Sequence, residues 1–118
     1  MTRIVGVFKN ADEVRQVPAG TVIFQAGDAG SEMFGIVSGS IELRAGDEVV
    51  AKLATDDVFG EMALVDHSPR MATAVASEDT QLAVINRQHF LFLVHETPMF
   101  ALQVMSSLAA LLRAAESS

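Results

Sequence analysis

Between Pro18 and Ile85 no apolar segment runs beyond five residues before a turn residue interrupts it, and this punctuation limits the fold more than any other feature. The breaks fall at Ala19-Gly20, Gly27-Asp28-Ala29-Gly30, Ser38-Gly39-Ser40, Gly46-Asp47 and Thr55-Asp56-Asp57. Segments of that length and spacing predict an all-β barrel or sandwich. Strands are expected at Val22–Gln25, Met33–Val37, Ser40–Arg44, Glu48–Leu53, Ala72–Ala76 and Gln81–Ile85. Ile41-Glu42-Leu43-Arg44 alternates as a strand with one wet face should. Val22-Ile23-Phe24 and Met33-Phe34-Gly35-Ile36-Val37 are apolar on both faces and should lie deeper.

The two ends read differently. In residues 1–17, Asn10 or Asp12 could cap a short helix over Glu13 to Gln16. Near the C-terminus, Asn86 is placed to cap a helix over Arg87–His95, and Thr97-Pro98 opens another, with Pro98 where its missing N–H costs nothing. On a helical wheel Phe100, Val104, Met105, Leu108, Leu111, Leu112 and Ala115 share one broad arc, opposite Gln103, Ser106, Ser107, Ala110 and Arg113. The arc is wider than one packing face needs, so this helix is expected also to cover a ligand or meet its copy in a homodimer or an effector protein.

At 118 residues, half of them apolar, one domain with one core is expected. It comprises a short segment 1–17, a β body 18–85 and C-terminal helices 86–118. The net charge of −7 carries eight basic side chains without a cluster, which disfavours nucleic acid and anionic membrane as partners. Without cysteine there is no disulfide, which fits a reducing compartment such as the cytoplasm. Five apolar residues before Lys9 make too short a signal core, and no apolar run approaches membrane-spanning length.

One stretch carries the chemistry: Phe59-Gly60-Glu61-Met62-Ala63-Leu64-Val65, a polar loop through Pro69, then Arg70-Met71-Ala72-Thr73. Gly60 lets backbone approach a ligand closely. Met62–Val65 can form one helical turn whose unpaired N–H groups face back toward it. Arg70 offers a planar fork that suits phosphate oxygens. Glu61 cannot serve an anion and must face a donor, such as a sugar hydroxyl beside the phosphate.

This stretch resembles the phosphate-binding cassette of cyclic-nucleotide-binding domains, the family of the catabolite activator protein and the regulatory subunits of cAMP-dependent protein kinase. Every fixed position of the family pattern is filled, by Phe59, Gly60, Glu61, Ala63, Leu64, Arg70, Ala72 and Thr73. The resemblance extends over about residues 18 to 95 through phrases around Gly20, Gly27 and Gly39. It implies a double-stranded β-helix, a jelly-roll-like β-roll, with a short cassette helix and C-terminal helices. It implies that Glu61 bonds the ribose 2′-hydroxyl, that Arg70 pairs with the cyclic phosphate, and that backbone N–H groups of Gly60–Ala63 and of Met71-Ala72 complete the cradle. The last helix would be a movable lid. Gly35 replaces the larger residue usual at its place, leaving a gap or admitting a neighbour. Met71 offers a guanine amino group nothing to bond, which points to cAMP over cGMP.

Catalysis and metals find no support. His67, His89 and His95 lack ligand spacing, and no nucleophile elbow, P-loop or dinucleotide fingerprint occurs. The expected function is a non-catalytic sensor that binds a cyclic nucleotide, with no other cofactor. The alternative is a β-roll interaction or dimerisation adaptor with weak or no nucleotide binding.

Overall fold

A computed structural model describes residues 6–8, 11 and 13–117, and of 114–117 the backbone alone. Two four-stranded antiparallel sheets pack face to face, with the helices on one flank. One sheet is ordered β1 (Val14–Val17), β8 (Thr80–Asn86), β3 (Glu32–Ser38), β6 (Val58–Phe59). The other is ordered β2 (Val22–Phe24), β7 (Thr73–Ala76), β4 (Ser40–Ala45), β5 (Glu48–Ala54). After β6 comes the helical turn α1 (Met62–Val65), and after β8 come α2 (Arg87–Glu96) and α3 (Met99–Ser117). Consecutive strands repeatedly cross between the two sheets, as in a β-roll.

All six expected strands form, with ends shifted by a residue or so. The N-terminal segment is a correction: Val14–Val17 is strand β1, not a helix over Glu13–Gln16, and Asn10 and Asp12 lie outside the described residues. Val14 pairs with Ala83 and Val17 with Thr80, so the edge of β8 supplies backbone partners that a one-turn helix could not offer. Two β-branched valines in four residues favour that outcome. β6 escaped detection because two residues carry no periodicity. It is fixed by pairing Phe34 with Phe59 and Gly35 with Val58.

Alternation along β3 and β8 divides the interior in two. Phe34, Ile36, Leu82 and Val84 point between the sheets, where Phe34 and Phe59 stack with centroids 5.3 Å apart. Met33, Ala83 and Ile85 point to the helices and meet Phe8, Val58, Leu64, Phe100 and Val104. A strand serving two apolar layers has to be apolar on both faces. The space left by Gly35 is filled: a Cβ there would fall 2.5 Å from the Phe8 ring.

Asn86 caps α2 as expected, its side chain accepting from His89 N at 2.8 Å. In α3, Phe100 and Val104 are buried and Leu108 and Leu111 are partly buried. The wheel is corrected at other positions. Met105 and Leu112 face outward at 60% and 62% exposure, while Gln103 is buried and Ser107 half-buried. Gln103 Nε2 donates to the Asp56 carbonyl at 2.6 Å and the Ser107 hydroxyl to the Val58 carbonyl at 3.3 Å. Backbone acceptors in β6 and in the turn just before it thus draw two polar side chains inward. Arg113 is exposed, and the side chain of Ala115 is not described.

Candidate functional site

Strand β6 ends at Phe59, and Gly60 turns the chain with φ +79°, a left-handed value that favours glycine. Glu61 follows at the head of α1, where its carbonyl accepts from the N–H groups of Leu64 and Val65. The N–H groups at the start of α1 have no carbonyl a turn earlier within the helix. Asp66 then orders the loop by accepting from both the N–H and the hydroxyl of Ser68, which holds its carboxyl below the usual range.

Arg70 is pinned before its side chain does anything. Its N–H donates to the Asp28 carbonyl at 2.8 Å, and its own carbonyl accepts from Gly27 N at 2.7 Å. The side chain is buried. Nη1 donates to the Gly60 carbonyl and Nη2 to the Glu32 carbonyl, each at 2.9 Å. The guanidinium carbon lies 4.3 Å from the centroid of Phe24, a cation–π contact, and Gly30 leaves the room its plane occupies. Burial lowers its pKa, opposed by the charges of Glu32, Asp28 and Glu61. Arg70 Nε remains buried without a hydrogen-bond partner.

Glu61 is 1% exposed, and neither of its carboxylate oxygens has a hydrogen-bond partner. Burial pushes its carboxyl above the usual range, and the positive charge of Arg70 opposes this less strongly. The Ser107 hydroxyl itself donates to the Val58 carbonyl. A buried carboxylate without a donor is costly, and proteins rarely retain one without a use for it.

Glu61 and Arg70 line one cavity of about 40 Å³, with Gly60, Met62, Ala63, Pro69, Met71 and Ala72 around it and Phe24, Leu43 and Leu111 as apolar walls. A second cavity, of about 300 Å³, lies between β5 and α3. Val50 and Ala51 line it together with Gln103, Ser107 and, again, Leu43 and Leu111. Of the residues the sequence proposes, Gly60, Glu61, Met62, Ala63, Arg70, Met71 and Ala72 are brought together. Phe59 and Thr73 are not among the lining residues. Phe59 is stacked in the core, and the Thr73 hydroxyl accepts from Ala26 N at 3.1 Å, fastening β7 to the loop that holds Arg70. Sequence reasoning missed Phe24, Gly30 and Leu111. Phe24 and Gly30 are far from Arg70 in the chain, and only Leu111 carried a signal, its place on the broad apolar arc.

The sequence model of the family described as cyclic nucleotide-binding domain matches residues 14–97. This chain belongs to that family. The cyclic AMP receptor protein of Thermus thermophilus is 37% identical over 107 residues, covering 86% of this chain and 50% of the relative. The cAMP-dependent protein kinase regulatory subunit of Mycosarcoma maydis is 42% identical over 80 residues, covering 62% of this chain and 15% of the relative. The crystal structure of the Thermus thermophilus catabolite activator protein superposes with a TM-score of 0.72 at 36% identity, covering 88% of this chain and 51% of that one. This cyclic-nucleotide-binding domain thus spans about half or less of the length of these relatives. The match begins at Val14 and so takes in the whole of β1. Among the described residues no three His, Asp or Glu side chains converge on a metal position, and no helix is long and apolar enough to cross a membrane.

Proposed function

We propose that the domain binds cAMP, without catalysing a reaction on it, and reports occupancy through α3. One observation carries the proposal. Glu61 and Arg70 both line the small cavity, and both carboxylate oxygens of Glu61 and Nε of Arg70 are buried without hydrogen-bond partners. A ligand presenting a hydroxyl beside an oxyanion, as a ribose cyclic phosphate does, would satisfy both kinds at once. Glu61 would accept from the 2′-hydroxyl. Arg70 would meet the phosphate through Nε, and through Nη1 and Nη2 on leaving the carbonyls of Gly60 and Glu32. N–H groups of Gly60–Ala63 and of Met71-Ala72 would complete the cradle. The apolar walls at Val50 and Ala51 suit a purine. Met71, at the cavity rim and 69% exposed, gives a guanine amino group no acceptor of use, which favours adenine.

Titration calorimetry with cAMP and cGMP on the wild type, Arg70→Lys and Glu61→Gln is the test, with circular dichroism checking the fold of each. A charge-assisted contact is worth roughly 1.5–3 kcal/mol, so each variant should bind about tenfold or more weakly. Wild-type affinity for cGMP equal to that for cAMP would remove the purine assignment. Equal affinities across the three proteins would remove the assigned roles of the two side chains.

A second reading, a dimerisation or effector adaptor, is favoured by the outer face of α3, where Met99, Leu102, Met105 and Leu112 are each about half exposed or more. Sedimentation with and without nucleotide decides it, since an adaptor would associate regardless of ligand.

A further inference from the structure

Glu61 and Arg70 line one cavity, most of the room for a ligand belongs to another, and the two cavities share a wall. Glu61 and Arg70 line the cavity of about 40 Å³, space for a few water molecules. The neighbouring cavity of about 300 Å³ reaches the lower limit of small-molecule sites, yet neither Glu61 nor Arg70 lines it. Leu43 and Leu111 are the two residues common to both. Leu43 is 4% exposed and its strand is paired on both edges, to β5 and β7, so it is fixed. Leu111 stands on α3, partly buried against the core between the sheets, one turn beyond Ser107.

We propose that Leu111 is a self-inhibitory wedge: in the ligand-free protein α3 holds it in volume the nucleotide needs, so the helix competes with the ligand before it can cover it. This rests on the nucleotide-binding reading above. A sugar phosphate that reaches Glu61 and Arg70 while its base occupies the larger cavity has to pass through the position of Leu111. Binding therefore requires the distal half of α3 to lift, while Phe100 and Val104, buried, and Gln103, bonded to the Asp56 carbonyl, anchor the proximal half. The fraction of molecules already lifted then scales the apparent affinity.

The wedge predicts a sign opposite to that of an ordinary apolar contact. Shortening Leu111 should join the two cavities and tighten binding, whereas shortening a side chain that merely covers the base should weaken it. Calorimetry with cAMP and cGMP on the wild type, Leu111→Val and Leu111→Ala tests this, with Leu112→Ala, outward-facing on the same helix, as control. The expected order of affinity is Leu111→Ala, then Leu111→Val, then wild type, with a gain of about threefold to tenfold for alanine and none for Leu112→Ala. Val is a small enough change to fold if Ala does not. Unchanged or weaker binding by both Leu111 variants overturns the wedge while leaving the binding site standing. Absence of heat from all four proteins with both nucleotides overturns the binding reading, and the wedge with it.

Discussion

Gln103 Nε2 on α3 donates to the main-chain carbonyl of Asp56 at 2.6 Å, in a place where both groups are buried. Asp56 takes a left-handed φ of 74°, which aspartate tolerates better than most residues, and its Oδ1 accepts from Gly6 N at 2.9 Å. A single turn ahead of β6 thus receives both the N-terminal segment and the C-terminal helix. Gln103→Leu keeps the volume but leaves the Asp56 carbonyl without its donor. Urea unfolding should show a loss of about 1–3 kcal/mol, the cost of an unsatisfied buried group. A loss of a few tenths would mean that water replaces the amide.

Glu61 makes the stability of the ligand-free protein depend on pH in an unusual direction. Burial raises its carboxyl in the folded state, so over a window beginning near the ordinary carboxylate value of about 4.3 the folded protein binds more protons than the unfolded one. Its contribution is complete below that value and is lost as pH rises through the raised folded value. Asp66 works oppositely, its lowered carboxyl costing stability only as pH falls. The difference between wild type and Glu61→Gln isolates the effect: the wild type should lose ground to the variant as pH increases from acid toward neutral. With nucleotide bound and a hydroxyl on the carboxylate, that trend should flatten or reverse. Parallel stability curves for the two ligand-free proteins would mean that Glu61 is solvated.

How much of this was legible in the sequence follows from the range of each interaction. The strands and the Asn86 cap are local matters of periodicity and turn residues, and they are found where expected. So is the turn Met62–Val65. β1 was misread because a four-residue stretch has no local pattern strong enough to oppose its pairing with β8. The wheel of α3 failed at Gln103 and Met105 for a related reason: carbonyls at Asp56 and Val58 reward polar side chains at inward positions, and no helical period encodes them. At the site, the spacing of Glu61 and Arg70 is a linear pattern and could be read. The bed under the guanidinium, Phe24 and Gly30, is assembled by tertiary contact alone.

Gly30 is required by Arg70 rather than by its own backbone. A Cβ there would meet the guanidinium, with Nε at 2.5 Å and the central carbon at 2.6 Å, and Gly30 does not occupy the left-handed region. Gly30→Ala should therefore fold, displace the guanidinium from the Glu32 carbonyl and the Phe24 face, and weaken nucleotide binding by about tenfold. Gly27→Ala is the contrasting variant. Gly27 has φ +91° with open space around its Cβ position, so alanine there should cost about 1–2 kcal/mol of stability and leave affinity nearly intact. Calorimetry and thermal melts on both variants check the separation. Equal affinity losses would mean that the loop, not the guanidinium, sets binding.

Gly35 sits mid-strand in β3, paired with Ala83 on one side and Val58 on the other, where alanine would ordinarily stabilise by roughly 0.5–1 kcal/mol. Here the Phe8 ring occupies the position, 2.5 Å from where the Cβ would stand, and overpacking costs typically 1–3 kcal/mol. The steric effect is the larger, so Gly35→Ala should destabilise. Phe8 also meets Phe100 edge to face, with centroids 6.0 Å apart, so its displacement would reach the start of α3. Phe8→Ala alone should cost about 3–5 kcal/mol. In the Phe8→Ala background the obstruction is gone, and Gly35→Ala should change from destabilising to neutral or stabilising. Urea denaturation of the four proteins of this cycle measures that change of sign, and additive effects would show that Phe8 does not occupy the space above Gly35.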